Sequence, residues 1–204
     1  ANPEEKEQIG DTSMKKDIIL AGVGGQGILT IATIIGHAAL KRGWNLKQAE
    51  VHGMSQRGGD VQSHLRLSSK PIWSDLIPMG KADMILSVEP MEALRYLPYL
   101  AEDGWIITNK TPFKNVAVYP ELEAIFDEIR KIPNHVLIDA DTIAKEVKAN
   151  RSMNIVVLGA AIKYLGFSEA EIADAINAIF SRKGETIVEG NLRALSAGIN
   201  SGIE

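Results

Sequence analysis

The chain has no cysteine among its 204 residues. It can form no disulfide, offers no thiol nucleophile and cannot hold an iron–sulfur cluster through thiolates. If it takes part in electron transfer, the clusters must sit on another chain. Long apolar runs are missing too: none approaches the ~18–20 residues that a membrane span needs. No signal-peptide pattern opens the sequence, so a cytoplasmic location with no membrane partner is expected. There is no basic excess. With 22 Lys and Arg against 26 Asp and Glu, the net charge is −4 and the pI about 5.7, which is not the basic stripe of a nucleic-acid binder. The four histidines, His37, His52, His64 and His135, have no HExxH-like spacing, and no metal site is expected.

What is present is enough apolar residue, 45%, for a full core in one domain. Residues 1–13 are polar and acidic without apolar periodicity, and they read as a flexible leader or an artificial extension. Residues 14–204 read as a single domain. Short apolar runs predict strands at 17–21, 45–51, 61–67, 82–88, 105–108 and 135–139, with a further short strand at 116–119. Helical spacing predicts helices from Ile28, over 90–100, over 121–131, and then over 142–149, 153–165, 168–180 and 185–196. Ser168 with Glu171 forms a capping-box pattern, and Gly166 and Gly184 fall at helix stops. Asp141 before Thr142 reads as a helix cap. The alternation implies an open, mostly parallel α/β sheet with helices on both faces, Rossmann-like, and a helical C-terminal third.

Two stretches carry chemistry. The first is AGVGGQGILT, residues 21–30, where a glycine cluster joins a buried strand to an amphipathic helix. A glycine turn at such a junction lets backbone N–H groups approach a phosphate or carboxylate, and the helix N-terminus adds partial positive charge. Gly24, Gly25, Gln26 and Gly27 are therefore candidate anion-binding residues. Gly22, Gly24 and Gly27 also fit G-x-G-x-x-G, and Glu50 lies where a ribose-binding acid would fall, ~20 residues on. A nicotinamide-dependent dehydrogenase is thus one alternative. Glycines that serve only close strand–helix packing are another.

The second stretch is EVHGMSQRGGDVQSHLR, residues 50–66. Ser55, Gln56 and Arg57 supply donors, and Gly58 and Gly59 let the backbone turn closely. Arg57 is suited to a carboxylate or phosphate because its planar guanidinium binds either in two-pronged fashion. His64 and Arg66 share one face of the following strand. His52 and His64 are possible supporting residues that orient the loop or pair with polar neighbours. The plain alternative is a surface loop with an exposed arginine.

The two motifs in this order resemble the gamma-type domain of the 2-oxoacid:ferredoxin oxidoreductases, over a span from about Lys16 to the C-terminus. The wording EVHGMSQRGG resembles the indolepyruvate branch, in which the domain is a separate beta subunit. The resemblance implies a subunit, inactive alone, of an enzyme that converts a 2-oxoacid and coenzyme A to an acyl-CoA and carbon dioxide while reducing ferredoxin. Thiamine diphosphate and iron–sulfur clusters are then expected on a larger partner subunit. The missing cysteines agree with this division, as does the lack of a GDG motif with a distal Asn-Asn. Coenzyme A or the oxoacid would meet Gly24, Gly25, Gln26 and Gly27 together with Ser55, Gln56, Arg57, Gly58 and Gly59 at the strand C-terminal edge. No residue is assigned a catalytic role. A non-catalytic interface subunit, whose glycine loop touches only partner protein, is the remaining alternative.

Overall fold

A computed structural model describes residues 14–52, 58–114 and 116–201. The leader, residues 53–57 and residue 115 lie outside the described set, as do residues 202–204.

Strand β1 (Lys15–Val23) leads through the glycine turn into helix α1 (Ile28–Lys41). The chain continues through β2 (Asn45–His52), β3 (Asp60–Ser68), β4 (Ala82–Ser87), α2 (Pro90–Arg95), β5 (Leu100–Asn109), α3 (Leu122–Arg130) and β6 (His135–Ile138). Four helices close it: α4 (Ala140–Glu146), α5 (Met153–Leu165), α6 (Glu169–Phe180) and α7 (Glu185–Asn200). The six strands form one sheet in the order β2-β3-β1-β4-β5-β6. Pairing is parallel from β1 through β4 and β5 to β6, and antiparallel on both sides of β3. The sheet is therefore mostly parallel, with one reversed strand beside its centre.

The uninterrupted apolar run of β1 is explained by burial on both faces. Ile18 and Leu20 enter a core with α1, α4, α5, α6 and α7, whereas Ile19 and Ala21 enter a second core with α2, α3, Ile77 and Tyr96. The capping box forms, with Ser168 Oγ accepting from the Glu171 amide at 3.3 Å and Glu171 Oε2 accepting from the Ser168 amide at 2.8 Å. Gly166 ends α5 at φ 77°, a conformation that favours glycine.

Three expectations shift. The helix expected over 90–100 stops at Arg95, because Pro98 has no N–H to continue it, and Leu97–Tyr99 forms one 3-10 turn before β5 begins. No strand forms over 116–119, where Val118 points into solvent. That segment is tied instead to buried Glu89, whose Oε1 accepts from the Phe113 amide at 3.2 Å and from Tyr119 Oη at 2.5 Å. Helix α4 starts two residues early: Asp139 caps it by accepting from the Thr142 amide at 3.1 Å, and Asp141 receives Asn109 Nδ2 at 2.8 Å.

Helices α5 and α7 cross with their backbones almost touching. A Cβ on Gly159 would lie 2.4 Å from the Leu195 carbonyl oxygen, and one on Gly198 would lie 2.1 Å from that of Val156. Neither backbone can give way cheaply, so Gly198→Ala should cost about 3 kcal/mol through overpacking. Gly190→Ala on the same helix meets only Arg193 Nη2 at 3.8 Å and should stay within about 0.5 kcal/mol of the parent. Thermal denaturation of the two variants checks this; equal melting temperatures would sink the close-contact argument.

Candidate functional site

The loop after β1 is shaped by what cannot fit there. A Cβ on Gly22 would lie 2.5 Å from Val88 Cγ2 and 2.7 Å from Ile28 Cδ1, so only glycine lets β1, β4 and α1 converge. Gln26 folds back on the loop: its Oε1 accepts from the Val23 amide at 2.8 Å, and its own amide donates to the Val23 carbonyl at 3.1 Å. Gly27, at φ 83°, is the residue before α1. Asn154 of α5 backs it, donating from Nδ2 to the Gly27 carbonyl at 3.0 Å, where a Gly27 Cβ would meet that nitrogen at 2.5 Å. Gly25, at φ 98°, has open space around it.

Helix α1 therefore starts with no side-chain cap and no acidic residue in its first turn. The amides of Gly24 and Gln26 are used within the fold, so an anion would meet the N–H groups of Gly25 and Gly27 and of the first residues of α1. On the other side of the loop the Gly24 amide donates to the Gly59 carbonyl at 2.9 Å, one residue before β3 begins. The structure thus brings Gly59 against Gly24. Gly58 stands next to it at φ 81°. Ser55, Gln56 and Arg57 lie outside the described residues. His52 ends β2 opposite Val61.

His64 and Arg66 are placed elsewhere. His64 sits opposite Ile19 in the middle of the sheet, 3% exposed, with its Nδ1 accepting from the Ile77 amide at 3.0 Å and its ring edge-on to Tyr99. Arg66 pairs with the fully buried carboxylate of Asp17 at 2.8 and 3.1 Å and donates to the Ser74 and Leu76 carbonyls at 3.0 Å each. Both clamp the segment 69–81 onto the sheet.

Glu50 also stands apart from the glycine loop. The reversed β3 separates its strand from β1, which puts β2 about 9–10 Å from β1 at the usual strand spacing. A dinucleotide fold needs the ribose-binding acid on the strand next to β1.

The sequence reading missed the other wall of the site. Gly25, Gln26, Gly27 and Thr30 open onto a cleft of about 540 Å³, whose far side is the α4–α5 turn and α7. Lys148, Arg151, Lys183 and Arg193 line it. These residues lie more than a hundred positions from the loop and read singly as solvated cations. No sequence signal marks them; in the structure Lys148 holds a positive φ of 54° at the end of α4, where glycine is usual.

Burial and the nearby Arg66 push the His64 ring below its ordinary value. The folded protein thus favours neutral His64, and this contribution is whole above the unfolded value of ~6.5 and declines as pH falls below it. Melting temperature should drop between pH 7 and pH 5, and His64→Gln should flatten part of that slope. Identical slopes for the two proteins would show that His64 is not the group responsible.

Comparison with known proteins adds identity to this geometry. Residues 17–201 match the family model described as pyruvate ferredoxin/flavodoxin oxidoreductase. The chain is 38% identical over 199 residues to the indolepyruvate oxidoreductase subunit IorB of Archaeoglobus fulgidus, covering 93% of this chain and 96% of that one. The fold matches that of a 2-oxoglutarate:ferredoxin oxidoreductase from Magnetococcus marinus, solved with 2-oxoglutarate, coenzyme A and succinyl-CoA bound, at a TM-score of 0.71 and 22% identity. That match covers 91% of this chain, which spans 30% of the Magnetococcus chain. It also matches the pyruvate oxidoreductase subunit PORC of Thermotoga maritima, at a TM-score of 0.69 and 19% identity, over 90% of this chain and 94% of that one.

Proposed function

Because the chain belongs to the pyruvate ferredoxin/flavodoxin oxidoreductase family, we propose that it is the small subunit of an enzyme that oxidatively decarboxylates an aryl pyruvate, indolepyruvate first, with coenzyme A and ferredoxin. The likeness along nearly the whole chain to an indolepyruvate oxidoreductase subunit supports this substrate. In this reading a larger partner carries thiamine diphosphate and the iron–sulfur clusters, and those groups supply the carbanion and the electron path. This chain has no thiolate for a cluster, and its described residues hold no grouping of three or more His, Asp or Glu that could bind a metal ion.

Its own contribution is to hold and orient an anion. The observation that carries this is the Gly24–Gly59 hydrogen bond, which fastens one glycine-rich motif to the other at the end of β1. The uncapped start of α1 then presents its N–H groups there, and Arg57 stands two positions before Gly59 in the sequence. Backbone donors suit this task because they are fixed before the ligand arrives and cost no reorganisation. The ligand is the coenzyme A phosphate group or the oxoacid carboxylate.

The partner face in this reading is the segment 69–81. It exposes Trp73 (91%), Leu76 and Met79 to solvent, while His64 and Arg66 hold its backbone in place. Large apolar side chains on a clamped segment mark a protein interface.

The decisive assay is anaerobic co-purification with the partner subunit, followed by turnover of indolepyruvate, pyruvate and 2-oxoglutarate with coenzyme A and a viologen acceptor. Activity only in the complex, and highest with the aryl pyruvate, is expected. Arg57→Ala should raise KM for coenzyme A or for the oxoacid about tenfold, the scale of one charge-assisted pair. Unchanged values for both substrates would remove Arg57 from the site. Trp73→Glu should abolish co-purification without lowering the melting temperature of the isolated chain, and a variant that still assembles normally would move the interface elsewhere.

A further inference from the structure

The segment 69–81 carries the exposed Trp73, Leu76 and Met79, yet it has neither helix nor strand of its own. Its place on the sheet therefore depends on contacts that reach it from elsewhere. Arg66 donates to the Ser74 and Leu76 carbonyls, Lys47 pairs with Asp75 at 2.9 Å, and the Gly80 amide reaches the Pro98 carbonyl at 2.9 Å. At the centre, Ile77 is 2% exposed in the second core, and its amide donates to His64 Nδ1 at 3.0 Å.

That hydrogen bond carries a proton condition. Nδ1 accepts only while it holds no proton, so the fastened state is a neutral imidazole with its hydrogen on Nε2. A proton on Nδ1 turns the acceptor into a donor and sets it against the Ile77 N–H. Two buried donors then face each other without an acceptor between them. The new charge also stands in a 3% exposed side chain beside Arg66, where water does not reach it. Swinging the segment outward relieves these costs together, because it admits water to the ring and to the amide.

Carboxylates on this side of the sheet are already engaged. Asp17 is taken by Arg66 and Lys15, Asp75 by Lys47 and Glu92 by Arg95. Asp60 accepts from Tyr96 Oη at 3.3 Å, and Asp83 accepts from the Asp17 amide at 2.7 Å. Tyr99 meets the imidazole edge-on, 5.2 Å between ring centroids. Of Arg66, Lys47 and His64, which fasten the segment, only the histidine is of the type that changes charge between pH 5 and 8. Burial and Arg66 both favour its neutral form, so the change falls below the ordinary histidine value of ~6.5.

We propose that His64 is a proton-operated latch on the segment 69–81: neutral, it fastens the segment through the Ile77 amide, and protonated, it lets the segment go. The consequence for assembly rests on the reading of this segment as the partner face, whereas the latch is tested on this chain alone.

The test is amide exchange read by mass spectrometry on the full chain from pH 7.5 to pH 5.0, with labelling times scaled for intrinsic exchange. Peptides covering 70–81 should exchange about tenfold faster at the acid end, the effect of one pH unit of linkage, while those covering β4 stay unchanged. The His64 imidazole titration, followed by proton NMR, should share the midpoint of that release. His64→Asn sets a non-titrating acceptor near the position of Nδ1 and should keep the segment fastened across the range. Exchange of 70–81 that does not respond to pH overturns the proposal, as does release that persists in His64→Asn. If that variant fails to fold, the two midpoints in the parent decide: agreement supports the latch and disagreement overturns it. In the complex with the larger subunit, the dissociation constant should rise about tenfold over the same range and stay level for His64→Asn. Release in the isolated chain without weaker assembly leaves the latch standing and moves the partner face off this segment.

Discussion

The structure depends on the missing side chain at Gly22. Three elements meet at that point: β1 ends there, Val88 follows β4, and Ile28 opens α1. With neighbours 2.5 and 2.7 Å from where a Cβ would stand, any larger residue must push the Val88 and Ile28 side chains out of place. Close packing of this kind tolerates little adjustment, because interiors are already near crystal density. The convergence fixes the angle at which α1 leaves the strand and hence the direction of its N-terminal N–H groups. Gly27 repeats the constraint from the other side, where Asn154 occupies the space a side chain would need. Gly22 and Gly27 are thus packing residues, and that role is compatible with the ligand-facing role proposed for the loop.

Much of the fold was legible because it rests on local signals. Apolar runs bounded by polar turns gave the strands, and the Ser168–Glu171 box gave the start of α6 almost to the residue. Non-local pairing was less legible. Nothing in Val61 to Leu67 says that β3 runs against β1, since both arrangements bury the same alternation. That reversal nevertheless moves Glu50 one strand away from the glycine loop and removes the dinucleotide geometry that the letters suggest. The 116–119 stretch failed for a different reason. Its β-branched residues satisfy a strand pattern, but Glu89 holds the segment by hydrogen bonds at its two flanks, at Phe113 and Tyr119. Propensity is a weak prior when tertiary contacts oppose it.

The site itself was half legible. The glycine loop announced itself through spacing, as did the Gly58–Gly59 pair that meets it. The cationic wall did not, because Lys148, Arg151 and Lys183 come from the α4–α5 connection and the end of α6, and no periodicity distinguishes them from solvated lysines and arginines. His64 and Arg66 show the converse error. Polar residues in a motif attract a chemical reading, yet a fully buried Asp17 requires a charge partner far more than a solvent-facing site does. Arg66 answers that requirement and then spends its remaining donor on two carbonyls of the segment 69–81.

This arrangement explains why a chain without a nucleophilic thiol or an evident catalytic base still belongs in a redox enzyme. The groups around the glycine loop are backbone amides, an asparagine and cations, held on elements that pack without slack. The His64 ring, in the middle of the sheet and pushed below its ordinary value by burial and Arg66, takes no part in the loop. Such a framework suits binding and orienting charge. Under the proposed function the chemistry comes from groups brought by a partner, while this subunit supplies a rigid edge against which the ligand is set.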